Sequence, residues 1–299
     1  MPAADSSRPL TLGLIQHAAP GLDAAAKQRN LDHCCDMIRD ATAQGAQLVA
    51  TQELFQTEYF CQIEDEARFN LAESIPGPTT ERLGQLAKEL GIEITASLFE
   101  KRAPGLYHNT SVMIGRDGRI LDRYRKMHIP DDPRFYEKYY FTPGDLDWRT
   151  QTTTHAKTGM LICWDQWFPE AARLTAMHGA QVLFYPTAIG WFHGETEFDR
   201  KQQREAWQIM QRSHAIANGV FVAAINRVGT EGDLTFWGGS FVADPGGVVL
   251  AEAPESDEAV LVVECDLNRI EELRRGWPFF RDRRIDAYQP ITKRLLDEG

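Results

Sequence analysis

A carboxylate, an ammonium and a thiol stand where three apolar runs of this sequence give way to loops: Glu53, Lys126 and Cys163. Brought together they would form a nucleophilic site. The thiolate is the reactive form of cysteine, so a neighbouring carboxylate can take the thiol proton. A neighbouring ammonium can lower the thiol pKa and later stabilise an oxyanion. Each residue also has a plainer reading. Glu53 would be a surface charge, Lys126 a solvated strand terminus and Cys163 a core thiol, since free cysteine is among the most buried residue types. Periodicity alone does not bring the three together.

The elements that must position them can be read in outline. Residues 159–162 form a short apolar strand ending at Cys163. Pro169 suits the first turn of a helix, where its missing N–H costs nothing, and Gly179 closes that helix. Residues 181–185 are apolar again, and Pro186 stops them. A cysteine at a strand end, just before a tight turn, is held outward by a rigid element with backbone N–H groups near enough to receive an oxyanion. Upstream, residues 10–17 alternate as a strand. Residues 24–44 place Leu31, Cys34, Cys35, Ile38 and Ala41 near a 3.6 period, with Gly45 as the stop. Residues 46–51 form a second strand that delivers Gln52 and Glu53 to its end.

A helix over 81–90 and a strand over 93–99 come next. Two β-type runs, 109–115 and 119–125, flank Asp117-Gly118 and predict a hairpin, with Lys126 directly after it. Residues 127–144 are aromatic and proline-punctuated without clear periodicity, and long segments of that kind inside compact domains are usually functional. A loop at 187–198 precedes a helix at 199–218. Strands at 220–225, 235–242, 248–251 and 259–265 and a helix at 267–275 complete the chain. Residues 1–9 read as a flexible lead-in. Helices and strands alternate and then strands dominate, with no linker between, which predicts one α/β domain over 10–299.

Composition narrows the function. With 43% hydrophobic and 25% charged residues, the 299-residue chain can bury a sizeable core. Its 32 basic and 43 acidic residues give a net charge of −11 and argue against nucleic acid, because phosphate binding needs clustered Lys and Arg. Five cysteines, at 34, 35, 61, 163 and 265, form no C-x-x-C pair, so neither a disulfide scaffold nor a zinc site is expected and a reducing compartment is. The opening MPAADSSRPL lacks a signal-peptide core and no stretch approaches a membrane span, so a cytoplasmic location without a membrane partner is expected.

Three blocks carry a resemblance: Thr51-Gln52-Glu53-Leu54-Phe55, Tyr124-Arg125-Lys126-Met127-His128 and Leu161-Ile162-Cys163-Trp164-Asp165. The chain resembles the nitrilase, or carbon–nitrogen hydrolase, superfamily over essentially its whole length, with separations of 73 and 37 residues that suit the family. The resemblance implies a four-layer αββα sandwich that pairs into dimers or larger assemblies. It also implies Glu53 as general base, Lys126 as oxyanion stabiliser, Cys163 as nucleophile, and Glu137 in Phe135-Tyr136-Glu137-Lys138 as a fourth member that orients substrate or holds Lys126. The Trp164 amide would share the oxyanion, and Tyr59 would line the pocket. No metal or organic cofactor is required.

ELFQTEYFCQ, RKMHIPDDPRFYEKYYFTPGD, CWDQWFPEAARL, FYPTAIG and RDRRIDAY are similar to the N-carbamoylputrescine amidase branch. That similarity implies hydrolysis of an N-carbamoyl amine to putrescine, carbon dioxide and ammonia. The far end of the pocket should then offer acceptors to an ammonium, from Asp165 or from the loop carrying Thr187, Trp191, Glu195 and Glu197. Trp191 would either stack over the alkylammonium or anchor the loop. His128, His193 and His214 are expected to be structural. A carbamoyl-β-amino-acid hydrolase would instead need a cation in the pocket, from Arg134 or Arg200. A nitrile hydrolase, an aliphatic amidase and a catalytically silent scaffold are further rivals to the carbamoyl-amine reading. Gly276-Trp277-Pro278-Phe279-Phe280 has apolar bulk suited to a self-interface or to covering its own core.

Overall fold

The computed structural model describes residues 9–297; apart from Pro9, the lead-in expected over 1–9 lies outside the described residues. The first half runs Leu10–Gln16 (β1), Ala24–Ala43 (α1), Leu48–Thr51 (β2), Pro78–Leu90 (α2), Glu93–Ala103 (β3), Leu106–Ile114 (β4) and Ile120–Arg125 (β5). A one-turn helix, Glu137–Tyr140 (α3), and a two-residue strand, Gln151–Thr152 (β6), lead into Lys157–Met160 (β7), Pro169–Met177 (α4), Val182–Pro186 (β8), Gly190–Phe192 (β9) and Glu197–Asn218 (α5). Phe221–Ile225 (β10), Val228–Glu231 (β11), Leu234–Trp237 (β12), Phe241–Ala243 (β13), Val249–Glu252 (β14), Ala259–Cys265 (β15) and Asn268–Gly276 (α6) follow.

Local chemistry sets the helix ends. The Asp23 side chain accepts from the Ala26 amide at the start of α1, and Thr196 does the same for Asp199 at the start of α5. Pro78 sits in the first turn of α2, and Gly91 ends it in a left-handed conformation.

Two six-stranded sheets form, ordered β15-β1-β2-β3-β4-β5 and β14-β13-β10-β8-β7-β6. Each has a parallel centre, β1–β2–β3 in one and β7–β8–β10 in the other, with antiparallel strands outside. The sheets stack through β1 against β10 and β2 against β8, with α1 and α2 outside the first sheet and α4 and α5 outside the second. This is the four-layer αββα sandwich. Leu12, Leu14, Leu48 and Ala50 meet Val182, Phe184, Val222 and Ala224 in one core. Leu31, Ile38, Leu83 and Leu86 close a second core under the outer helices. Central strands covered on both faces carry continuous rather than alternating apolar runs, as β8 and β10 do.

Two strand expectations change. The run at 235–242 is not one strand, because Gly238 and Gly239 adopt left-handed φ of 52° and 61° and break it. β12 then joins β11 and β9 in a separate three-stranded sheet. Strand β3 continues past Phe99 through Glu100-Lys101-Arg102. The Glu100 carboxylate, 2% exposed, accepts from both Arg125 Nε and Arg125 Nη2 at 2.8 Å, which satisfies a charge that otherwise signals a strand end. Among the described residues no helix is long and apolar enough to cross a membrane.

Candidate active site

The polar residues of the site sit just beyond strand ends. Glu53 follows β2, Lys126 follows β5 and Glu137 opens α3; all three side chains are fully buried. Lys126 Nζ donates to Glu53 Oε1 at 2.8 Å and to Glu137 Oε2 at 2.7 Å. An ammonium carries three N–H donors, so one is left for a ligand. Glu53 Oε1 also accepts from Asn109 Nδ2 at 2.7 Å, while its Oε2 is buried without a hydrogen-bond partner. That oxygen is an unsatisfied acceptor, and the Glu53 charge acts on the Cys163 thiol. Asn109 is held in turn by Ser97 Oγ, which donates to Asn109 Oδ1 at 3.2 Å.

Burial disfavours the ammonium of Lys126, but Glu137 and Glu53 outweigh it and hold the group well above the usual lysine range. Burial, with Lys126 opposing and Glu53 reinforcing, pushes Glu137 up to about 7. Tyr59 O–H donates to Glu137 Oε1 at 2.7 Å, and burial followed by Glu137 keeps the phenol protonated. Both oxygens of Glu137 therefore take a donor. A protonated carboxyl cannot serve both, so acid is expected to loosen Lys126 and lower turnover through pH 7. Glu137→Gln mimics the protonated state. It should run about 10- to 100-fold slower, the worth of one charge-assisted hydrogen bond, and should lose the limb near pH 7; kcat against pH for both proteins checks this.

Cys163 does not terminate a strand. β7 stops at Met160, and the cysteine opens a five-residue 3₁₀ turn, Cys163–Trp167, with a left-handed φ of 43°. A non-glycine residue in this region is strained, and the turn carries the thiol past the strand end. Burial and Glu53 push the thiol well above its ordinary pKa, while Lys126 and a backbone hydrogen bond at Ala188 pull the other way. Lys126 acts on the thiol in the expected direction, but burial and Glu53 outweigh it, so the resting group is a thiol. Two buried carboxylates around one ammonium leave the local charge negative, so the proton must leave as the sulfur attacks.

Cys163 lies at the wall of a cavity of about 730 Å³. Trp164, Ile189, Phe192 and Trp237 give it an apolar lining, and Asp132, Glu195 and Asp199 add carboxylates. Glu195 is braced, with Oε2 accepting from the Phe192 amide at 3.1 Å and Oε1 from Gln203 Nε2 at 2.9 Å. A second cavity of about 800 Å³ runs along β5 beside Arg119, Arg123 and Arg149, and none of Glu53, Lys126, Glu137 or Cys163 lines it.

The other expected substrate-binding residues are placed unevenly. Trp164 and Glu195 line the cavity, whereas Tyr59, Asp165, Thr187 and Trp191 do not. Tyr59 stands behind Glu137. Asp165, fully buried, accepts from Tyr124 O–H at 2.8 Å, from the Ile162 amide at 2.9 Å and from the His128 amide at 3.1 Å, so it braces the turn of the nucleophile. Thr187 Oγ1 donates to Tyr185 O at 2.9 Å. Trp191 donates its indole N–H to Arg200 O at 3.1 Å and packs on Trp237 at 5.2 Å between centroids, so it anchors the loop. Strand alternation explains the split: within β9, Gly190 and Phe192 line the cavity and Trp191 points to the other face. His128 bonds Asp165, His214 bonds Gln166 O and His193 bonds Thr235, as structural histidines would. Asn109, Asp132 and Asp199 carried no sequence signal.

A model of the carbon–nitrogen hydrolase family matches residues 11–275. The chain is 43% identical over 297 residues to an N-carbamoylputrescine amidase of Solanum lycopersicum, covering 96% of each. It is 39% identical over 270 residues to a citrullinase of Francisella tularensis, covering 89% of this chain and 93% of that one. A crystal structure of a carbon–nitrogen hydrolase from Helicobacter pylori superposes with a TM-score of 0.92 at 44% identity, covering 96% of this chain and 100% of that one.

Proposed function

The chain belongs to the carbon–nitrogen hydrolase family, and we propose that it cleaves N-carbamoylputrescine, an N-carbamoyl amine, to putrescine, carbon dioxide and ammonia. One observation carries the substrate reading. Among the described residues, the cavity beside Cys163 is lined by Asp132, Glu195 and Asp199 and by no Lys or Arg, which suits a chain ending in an ammonium. The cations that a carbamoyl-β-amino acid would need are committed elsewhere: Arg134 pairs with Asp233, and Arg200 donates to Phe192 O and lies 5.9 Å over the Trp191 ring.

In this reading Glu53 takes the Cys163 proton on its free Oε2 as the sulfur attacks the ureido carbon. The oxyanion is received by the third N–H of Lys126 and by the Trp164 amide, which lies in the first turn of the 3₁₀ segment, where N–H groups lack intrahelical partners. Glu53 passes its proton to the departing nitrogen, leaving a carbamoyl thioester. Water, deprotonated by Glu53, then displaces the sulfur. The carbamic acid released loses carbon dioxide, so one water is consumed for each amine and ammonia formed.

Glu53→Gln keeps the shape and the contacts to Lys126 and Asn109 but removes the base. Turnover is expected to fall about 10²- to 10⁴-fold; an unchanged kcat at neutral pH would remove Glu53 from that role. Substrate class is tested by ammonia release from N-carbamoylputrescine and N-carbamoyl-β-alanine under identical conditions. The carbamoyl amine should be strongly preferred, and the reverse order would sink the assignment.

Self-association belongs to the same proposal. Trp277, Ile285, Ile291, Leu295 and Leu296 are exposed along the C-terminal tail, and clustered apolar exposure is the kind of surface that marks an interaction site. Sedimentation velocity of the full chain would answer it, and a monomer at micromolar concentration would end that part.

A further inference from the structure

Three potential metal ligands meet where the first and last strands of the first sheet come together. His17 directly follows β1, Glu258 directly precedes β15, and Gln16 pairs with Ala259 between them. His33 comes from α1, which packs on both strands. A ligand-capable atom of each of His17, His33 and Glu258 lies within 4.8 Å of the other two, the one such group of three among the described residues. His33 Nε2 and Glu258 Oε2 are 2.9 Å apart, and the His17 and His33 rings stand edge to face at 5.6 Å.

The buried histidine makes this more than an ion pair. His17 is fully buried, and its Nδ1 is taken by Ala18 O at 2.7 Å. That fixes the tautomer with the proton on Nδ1 and leaves Nε2 as a lone pair, yet Nε2 has no hydrogen-bond partner. A buried unpaired acceptor is costly. An imidazole whose Nδ1–H is held by a carbonyl, with Nε2 free, is the usual arrangement of a metal-bound histidine. The His33–Glu258 pair accounts for those two residues but leaves His17 Nε2 unexplained.

We propose that His17, His33 and Glu258 form a three-ligand site for a zinc-class divalent ion. Two imidazoles and a carboxylate are a zinc ligand set that leaves a fourth position for water, whereas calcium and magnesium prefer oxygen ligands alone. At zinc–ligand distances of about 2.1 Å, tetrahedral donors sit roughly 3.4 Å apart. His33 and Glu258 are 45% and 42% exposed, so they are free to close that gap and leave a path for the ion. Arg227 opposes a cation here, but it is paired with Glu231 at 2.8 Å. None of the three ligands lines the cavity that holds Cys163, so the ion would clamp strand ends to a helix and stay out of the reaction.

The test is a zinc titration of the chelator-stripped full chain against a chromogenic competitor. One ion per chain is expected. His33→Ala and Glu258→Gln should each weaken binding by at least about tenfold, since even outer-shell changes reach that size. Cys163→Ala should bind as the parent does, which separates this site from capture by the nucleophile. Cobalt(II) should give visible ligand-field bands without thiolate charge transfer, and zinc should raise the Tm of the parent but not of His33→Ala. Both exposed-ligand variants should keep the basal turnover. Replacing the buried His17 would disturb packing as well as binding, so the two exposed ligands decide the matter. Zinc binding that survives both variants, or no binding at all in the parent, would overturn the site.

Discussion

Cys163→Ala is expected to lose turnover by at least about 10⁴-fold, because it removes the sulfur that forms the acyl intermediate and the remaining oxyanion donors give only residual catalysis. Its stability should change by no more than about 1 kcal/mol, since the change removes a single sulfur from a buried side chain. The positive φ of 43° supplies a second check. Alanine keeps the strain of an L-residue in the left-handed region, whereas glycine relieves it. Cys163→Gly should be equally inactive yet more stable than Cys163→Ala by about 1 kcal/mol. Steady-state ammonia release and chemical denaturation of the three proteins check both statements. Substantial activity in the alanine variant would exclude a covalent thioester.

Lys126→Met should damage the fold as well as the reaction. In the parent, one ammonium pairs with both Glu53 and Glu137, all three fully buried. Removing one member of a buried ion-paired group leaves charge without compensation and costs about 3–5 kcal/mol. The loss should depend on pH with a definite sign. Burial already raises Glu137 to about 7 against the pull of Lys126, and without that ammonium its folded pKa rises further above the unfolded value. A group of that kind favours the folded state at low pH and loses that contribution as pH rises, so the deficit should be small near pH 4 and grow toward neutrality. Turnover should fall about 10²- to 10³-fold through loss of an oxyanion donor. The triple variant Lys126→Met, Glu53→Gln, Glu137→Gln should recover much of the stability and none of the activity. A Tm deficit independent of pH would show that the ion cluster is not what Lys126 holds together.

Glu53, Lys126, Glu137 and Cys163 were legible because each sits in a block whose order and separation match a family pattern, and because strand ends are where such folds place ligands. The αββα layering was legible for a related reason: apolar strands alternate with helices that carry recognisable stops. The partners of the four residues were not. Asn109 lies at a strand pairing with no spacing signal, and its contact with Glu53 spans 56 residues of sequence. Asp165 adjoins the nucleophile, and adjacency cannot distinguish a ligand for substrate from a brace for the turn. For Trp191 the sequence left stacking and anchoring open, because three residues of strand β9 are too few to show alternation and its direction is set by pairing with Thr235, far along the chain. Asp132 and Asp199 reach the cavity from segments that meet only in three dimensions.

Pairing of β1 with β15 has a consequence for how the protein is made. Leu10 faces Cys265 and Gln16 faces Ala259 along seven paired positions, so one edge of the central parallel strands stays open until β15 has left the ribosome, after every other described strand. Contacts of that sequence separation raise the contact order and slow folding. The bare β1 edge meanwhile presents unpaired backbone groups from an apolar strand, a template for intermolecular pairing. Ribosome-bound chains stopped before β15 should therefore be protease-sensitive and chaperone-bound, and full protection should arrive in one late step when that strand emerges.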